Sequence, residues 1–244
     1  MKAPRGQNFL YQQEWQRRIA AELGRSRRLV EIGGGPGGLS AFLAQASERL
    51  WVVENDPVLA AGLRERLAGP TVEIIEADVL GLDLTALAAG ETLRVAGNLP
   101  YYITSPILLH LFRHAPAIED AHLMVQREVA ERMLAKPGGR QFGLLSATTQ
   151  FYADPEHVFD VPPGAIRPPP KVYSSLVRLK FRPQAEALGV DPEGFIRFLR
   201  TAFAQKRKQL GKRFGIRMTA RAEQLSLAEL AGLYRQLRAQ EMRG

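Results

Sequence analysis

Apolar runs alternate with amphipathic segments along residues 1–180, a pattern typical of an α/β fold with a mostly parallel sheet. Trp15, Ile19 and Leu23 recur at every fourth position and predict a helix with one buried face. Short apolar runs predict further elements of a sheet, namely strands at residues 28–33, 50–55, 71–78 and 121–126, and a strand running into a turn at 93–102. Amphipathic segments between them predict helices at residues 39–50, 57–69, 103–114 and 127–136.

A proline-rich stretch is the most distinctive feature of the second half of the chain. Residues 160–181 hold a proline-rich stretch followed by alternating polar and apolar positions, which predicts a strand. Residues 142–153 fit a helix and a strand equally well. We place the domain boundary just after the proline-rich stretch, which gives a large domain, 1–183, and a small basic domain, 184–244. The small domain is predicted to be helical at residues 194–215 and 225–240.

Composition excludes several classes of protein. Of the 244 residues, 45% are hydrophobic and 24% are charged, which argues against a disordered chain. The absence of cysteine excludes disulfides, thiolate zinc sites and cysteine nucleophiles, and it fits a reducing cytosol. No stretch resembles a signal peptide or reaches the roughly 18 apolar residues of a membrane span. We expect a soluble, cytoplasmic protein without membrane contact.

Positive charge is concentrated near the C-terminus. The formal net charge is +8, and residues 181–244 carry 13 basic and 6 acidic side chains, a net charge of +7. This asymmetry favours a polyanionic partner such as nucleic acid, although a solvated basic surface gives the same composition. The basic side chains best placed for phosphate contacts are Lys206, Arg207, Lys208, Lys212 and Arg213.

A glycine-rich turn between a predicted strand and a predicted helix is the first candidate binding motif. Gly33, Gly35 and Gly38 match the dinucleotide-binding spacing, and Glu54 follows 21 residues after Gly33. A carboxylate at the end of the second strand can accept hydrogen bonds from both ribose hydroxyls, so NAD and S-adenosylmethionine fit equally well. Asp78 ends the third strand and could accept an adenine amine, although a turn or helix-capping role is the more common one for such an aspartate taken alone.

The tetrapeptide Asn98-Leu99-Pro100-Tyr101 favours methyl transfer over hydride transfer. An aromatic amine is a poor nucleophile because its lone pair is delocalised into the ring. The Asn98 side-chain oxygen and the Leu99 carbonyl could accept its N–H groups and favour a pyramidal nitrogen, while Tyr101 stacks on the base. Pro100 restricts the backbone. This chemistry needs neither a metal nor a strong general base, because a sulfonium is already a good leaving group.

In this order the motifs resemble those of the ribosomal RNA adenine N6,N6-dimethyltransferases, most closely the small-subunit branch. The resemblance covers nearly the whole chain, with further matching segments at residues 6–10, 31–37, 125–133, 168–179, 202–210 and 220–230. It implies a Rossmann-like methyltransferase domain with helices on both faces of the sheet, plus a small C-terminal helical domain that is shortened here. That domain would bind RNA or the ribosome.

The resemblance also implies an activity and a set of contacts. Two adjacent adenosines near the 3′ end of small-subunit rRNA would each be methylated twice, during assembly of the small subunit and by a monomeric enzyme. The residues implied to contact S-adenosylmethionine are Asn8, Leu10, Gly33, Gly35, Glu54, Asp78 and Asn98.

One departure from the family concerns the target base. The family places an aromatic residue before the proline-rich segment, whereas this chain has Ile166 and Arg167 there. We expect Tyr101 to pack on one side of the target base and Ile166 to pack more weakly on the other.

Three other functions compete with this one. The same chemistry on large-subunit rRNA, as in macrolide resistance, suits the short C-terminal domain. An RNA-binding assembly factor without catalysis suits the missing aromatic residue at Ile166, although Glu54, Asp78 and Asn98 argue against it. An NAD-dependent oxidoreductase has no use for the tetrapeptide or for a basic C-terminal region.

Overall fold

The chain folds into two compact units. The computed structural model describes residues 8–205 and 208–241. The first unit comprises Met1–Ala130 and Glu156–Phe181, and the second comprises Glu131–Pro155 and Arg182–Gly244.

The second unit differs from the predicted C-terminal domain because residues 131–155 belong to it. The predicted boundary at 183/184 lies next to Arg182, where its second segment begins. Phe142 and Phe151 are buried in the core of this unit, and the ring of Phe151 lies 5.1 Å from that of Phe195, centroid to centroid. Because Phe142 and Phe151 are buried in the same core as Phe195, far along the chain, the second unit cannot be one continuous segment.

Most of the strands follow predicted apolar runs with shifted ends, but the strands at residues 9–10, 153–161 and 166–167 were not predicted. In chain order they are β1 (Phe9–Leu10), β2 (Ser26–Ile32), β3 (Ser47–Glu54), β4 (Val72–Glu76), β5 (Leu93–Asn98), β6 (Ile118–Gln126), β7 (Ala153–Val161), β8 (Ile166–Arg167) and β9 (Ser174–Phe181).

Seven of these strands form one sheet with the order β4-β3-β2-β5-β6-β9-β7. Neighbouring strands from β4 to β6 are parallel, and β9 is antiparallel to β6. Ile32 of β2 lies opposite Val53 of β3 and opposite Gly97 of β5, so these three strands end at the same edge of the sheet. The mostly parallel α/β fold expected from the sequence is confirmed.

Most of the helices overlap predicted amphipathic segments, but the short helices at residues 84–88 and 185–188 were not predicted. In chain order they are α1 (Gln13–Leu23), α2 (Gly38–Ala46), α3 (Pro57–Leu67), α4 (Leu84–Ala88), α5 (Thr104–Arg113), α6 (Arg127–Leu134), α7 (Leu144–Tyr152), α8 (Ala185–Leu188), α9 (Pro192–Phe203), α10 (Leu210–Phe214) and α11 (Leu227–Glu241).

Side-chain burial explains the helix positions in the first unit. Ile19 of α1, Leu43 of α2 and Leu63 of α3 are buried with Val52 of β3 in one hydrophobic core. The ambiguous segment 142–153 contains the helix α7, and the single helix expected at 194–215 is divided into α9 and α10. Among the described residues, the helices are too short or too polar to span a membrane.

A buried ion pair joins strands of the sheet. Asp120 of β6 is 1% exposed and accepts hydrogen bonds from Nε (2.7 Å) and Nη2 (2.8 Å) of Arg94 on β5. It also accepts one of 2.8 Å from Nη2 of Arg178 on β9. Burial raises the pKa of the Asp120 carboxyl, but the hydrogen bonds and charge of Arg94 outweigh it and hold the pKa below its usual value. The carboxylate is therefore charged and fully partnered within the sheet.

Replacing Asp120→Ala leaves the Arg94 guanidinium half-buried without its counter-charge. We expect the free energy of unfolding to fall by about 3–5 kcal/mol, measured by urea denaturation. Asp154→Ala is the matched control, because Asp154 pairs with Arg182 on the surface and such pairs contribute about 1 kcal/mol or less. Equal losses in the two variants would contradict the structural role of the buried pair.

Candidate functional site

A cavity of about 620 Å³ opens in the first unit at the edge where the parallel strands end. Its volume is that of a typical small-molecule site. Of the seven residues predicted to contact a cofactor, all but Leu10 line this cavity: Asn8, Gly33, Gly35, Glu54, Asp78 and Asn98. Leu10 is instead 8% exposed within the hydrophobic core.

The glycine turn after β2 requires residues without a side chain. Gly33 and Gly35 have φ angles of 76° and 53°, a region that other residues rarely adopt. A Cβ atom at Gly35 would also lie 2.9 Å from Cδ1 of Phe9, which lines the same cavity. The turn therefore exposes main chain to the cavity at the point where a ligand would approach.

Glu54 ends β3, and the turn holds its carboxylate in place. Oε2 accepts the main-chain N–H of Gly35 at 2.8 Å, and Oε1 accepts that of Asp56 at 2.9 Å. The residue is 6% exposed. Because each carboxylate oxygen can accept two hydrogen bonds, this arrangement leaves acceptor capacity directed at the cavity.

Asp78 caps a short helix and also lines the cavity. Its Oδ1 accepts the N–H of Leu80 at 2.9 Å and so caps the short 3-10 helix Val79–Gly81. The same residue lines the cavity beside the apolar side chains of Val79 and Leu80. A carboxylate next to apolar walls suits a flat ring that carries an amine.

Asn98 is the polar residue of the tetrapeptide that reaches the cavity, and hydrogen bonding fixes its orientation. Its Nδ2 donates to the main-chain oxygen of Asn8 at 2.7 Å, which leaves Oδ1 as the acceptor. The Leu99 N–H donates to Met124 O at 3.0 Å, and Thr104 Oγ1 donates to Pro100 O at 3.1 Å. These two bonds hold the turn that directly follows Asn98.

The two predicted base-packing residues lie outside the lining of the cavity. Tyr101 is half-buried, and its hydroxyl lies 2.6 Å from Ser174 Oγ; burial raises the pKa of this hydroxyl. Ile166 is 1% exposed and belongs to the core beside Leu10, so the expectation that it packs on a base is corrected. It faces the core because β8 pairs with β1, which places Ile166 opposite Leu10.

Several residues of the cavity wall were not predicted from the amino-acid sequence. Tyr102 is 61% exposed and lines the cavity, whereas its neighbour Tyr101 does not. Ile103 and Ile107, at the start of α5, form apolar wall beside it. The only signal for these residues was their position just after the tetrapeptide, because adjacent tyrosines look alike in a sequence.

Three of the five residues predicted to contact RNA are among the residues that the structure describes, and these three belong to the second unit. Lys208 and Lys212 are exposed, and Arg213 is partly buried. Lys206 and Arg207 lie outside the described residues. The exposed lysines are available to a polyanion.

A second carboxyl group lies beneath the glycine turn, at Glu31 of β2. It is 1% exposed, and its Oε2 is buried without a hydrogen-bond partner. Burial raises the pKa of Glu31 to about 8, and the nearby Glu54 carboxylate adds to the rise. Glu31 is therefore neutral near pH 7.

The chain is similar to known proteins along its full length. A family model described as ribosomal RNA adenine dimethylase matches residues 1–240. A "Ribosomal RNA small subunit methyltransferase A" from Acidobacterium capsulatum is 49% identical, over 95% of this chain and 89% of that protein.

Two solved structures share the fold. A dimethyladenosine transferase from Plasmodium falciparum has a TM-score of 0.74 and 27% identity, covering 86% of this chain and 75% of that one. The 23S rRNA methyltransferase ErmE has a TM-score of 0.72 and 26% identity, covering 94% of this chain and 99% of that one.

Replacing Glu31→Gln tests the neutral carboxyl. With a pKa of about 8 in the folded state against 4.5 when unperturbed, the folded protein keeps a proton that the unfolded chain has lost between these pH values. Stability must therefore fall as pH rises through this window, by roughly 1 kcal/mol per pH unit. We expect Glu31→Gln to flatten that fall in urea denaturation, while the exposed control Glu65→Gln keeps it. A fall of the same slope in both variants would contradict the assignment.

Proposed function

The chain belongs to the ribosomal RNA adenine dimethylase family, and we propose that it transfers methyl groups from S-adenosylmethionine to the N6 amines of two adjacent adenosines near the 3′ end of small-subunit rRNA. The observation that carries this proposal is the Asn98 amide. Asn8 holds its Nδ2, so Oδ1 is the atom that faces an incoming amine in the cavity. The small-subunit target is supported by the 49% identity to a protein named for that activity.

The cavity residues fit S-adenosylmethionine, which when bound supplies an electrophilic methyl group on a sulfonium. Glu54 would hold the ribose hydroxyls through the acceptor capacity left by its two main-chain bonds. Asp78 would accept the adenine amine, with Leu80 against the ring. The side-chain-free main chain of Gly33 and Gly35 allows a ligand to approach closely.

The tetrapeptide would activate the target amine by accepting hydrogen bonds from its N–H groups. Oδ1 of Asn98 and the carbonyl oxygen of Leu99 would each accept one N–H of the adenine, which favours a pyramidal nitrogen with its lone pair exposed. Because hydrogen bonds already fix the Asn98 amide and the turn around it, little reorganisation is needed when the base arrives.

The second unit is proposed to hold the RNA or the ribosomal subunit. Its exposed Lys208 and Lys212 are suited to phosphate contacts, which position RNA without reading its sequence. The proposal includes a monomeric enzyme in the cytoplasm, where small subunits assemble.

The likeness to ErmE makes large-subunit RNA the second candidate substrate. The deciding experiment offers radiolabelled S-adenosylmethionine with unmethylated small subunits, naked small-subunit RNA and large-subunit RNA. Label in two adjacent adenosines of the small-subunit RNA is the expected result. Label in large-subunit RNA alone would favour the second candidate, and cofactor binding without any label would favour an assembly factor.

Asn98→Ala should abolish methyl transfer, because it removes one acceptor for the target amine. Loss of a single preorganised hydrogen-bonding group of this kind costs about 100–1000-fold in kcat. Binding of S-adenosylmethionine, measured by calorimetry, should remain mostly intact. The control is Gln236→Ala, an exposed amide of the second unit. Near-wild-type turnover in Asn98→Ala would refute the role assigned to the amide.

Replacing Lys208→Gln and Lys212→Gln together should flatten the salt dependence of RNA binding. Two fewer phosphate contacts release fewer counterions, so the slope of log K against log salt should fall by about 1.5. The double control Arg64→Gln, Lys180→Gln removes the same charge from the first unit and should leave the slope nearly unchanged. An unchanged slope in the first variant would place the RNA surface elsewhere.

A further inference from the structure

Tyr11 and Arg167 form an exposed stacked pair in the first unit. The guanidinium carbon of Arg167 lies 4.0 Å from the centre of the Tyr11 ring. Tyr11 is 40% exposed and Arg167 is also exposed. Each side chain covers one face of the other, so the pair presents a flat, positively charged surface to the solvent.

The pairing of β1 with β8 holds these two side chains together. Phe9 of β1 lies opposite Arg167 of β8, and the Tyr11 N–H donates to Ala165 O at 3.1 Å. Phe9 also lines the cavity. The stacked pair is therefore anchored to a strand that forms part of the cavity wall.

Hydrogen bonds connect the same segment to the proposed catalytic amide. Nδ2 of Asn8 donates to Pro168 O at 2.7 Å, and Asn8 O accepts Nδ2 of Asn98 at 2.7 Å. Tyr11 is three residues from Asn8, so their Cα atoms are at most roughly 10 Å apart. The stacked pair is therefore within reach of a nucleotide that neighbours the one whose amine is at Asn98.

The burial of Ile166 leaves the family's second base-packing position without an accessible side chain. The next residue, Arg167, is exposed and planar. A guanidinium plane stacks on bases and its charge attracts the phosphate, and an aromatic ring stacks on any base. These properties match single-stranded RNA rather than an acidic protein, which would need no flat surface.

We propose that the Arg167–Tyr11 pair is a stacking platform for the base next to the adenosine being methylated. This inference rests on the proposed function, in which two adjacent adenosines are modified in turn. While one adenosine is at Asn98, the platform holds its neighbour and keeps the strand open beside the cavity.

Substitutions of the pair separate stacking from charge. Arg167→Ala and Tyr11→Ala should each raise KM for unmethylated small subunits about tenfold, with unchanged affinity for S-adenosylmethionine. Tyr11→Phe keeps the ring and should behave as wild type. Arg167→Lys keeps the charge but loses the plane, so KM should still rise severalfold. Arg113→Ala, an exposed arginine at the end of α5, is the matched control and should leave KM unchanged.

An abasic RNA tests the partner directly. Four RNA hairpins each carry a single target adenosine. In one pair the 5′ neighbour is cytidine or an abasic nucleotide, and in the other pair the 3′ neighbour is. By fluorescence anisotropy, the wild type should bind one abasic hairpin about tenfold more weakly than its cytidine counterpart, while Arg167→Ala barely distinguishes them. Equal losses in both proteins, or wild-type KM in Arg167→Lys, would overturn the platform.

Failure of the platform and failure of the proposed function give different results. If the wild type labels no adenosine in small subunits, the proposed function fails. If it labels them and all substitutions of the pair retain the wild-type KM, only the platform fails.

Discussion

Parallel pairing of β2 with β3 and β5 is the constraint on which the candidate site depends. Strands that run in the same direction and in register end at the same edge, so the residues that follow them are brought together. Gly33, Glu54 and Asn98 stand at those three ends and line one cavity. A glycine turn, a carboxylate and an amide therefore meet, although long helical segments separate them in the chain.

The segment around Asn8 lies outside the seven-stranded sheet but contacts this edge through Asn98. Its main-chain oxygen orients the Asn98 amide, while its side chain binds Pro168, 160 residues further along the chain. The pairing of β1 with β8 joins the same two segments of the chain. The edge of the sheet that carries Asn98 is thus linked to the proline-rich segment. The surface beside the cavity is formed by residues from early and late parts of the first unit.

Two buried carboxyl groups in the same sheet reach opposite charge states. Asp120 is surrounded by guanidinium groups and stays ionised, because their hydrogen bonds outweigh the cost of burial. Glu31 has an unpartnered Oε2 and takes a raised pKa instead. The contrast depends on which neighbours the sheet order supplies, and it places a neutral acid beneath the cavity and a charged one between the strands.

The amino-acid sequence by itself determined the alternating elements, the glycine turn, and the positions of Glu54, Asp78 and Asn98 at strand ends, because periodicity and turn chemistry act within a single segment. Tertiary structure decided the rest. It placed a helix, Leu144–Tyr152, in the ambiguous segment, buried Ile166 and Leu10 in the core, and put Tyr102 rather than Tyr101 in the cavity wall. These outcomes depend on contacts between segments far apart in the chain, which no local pattern specifies.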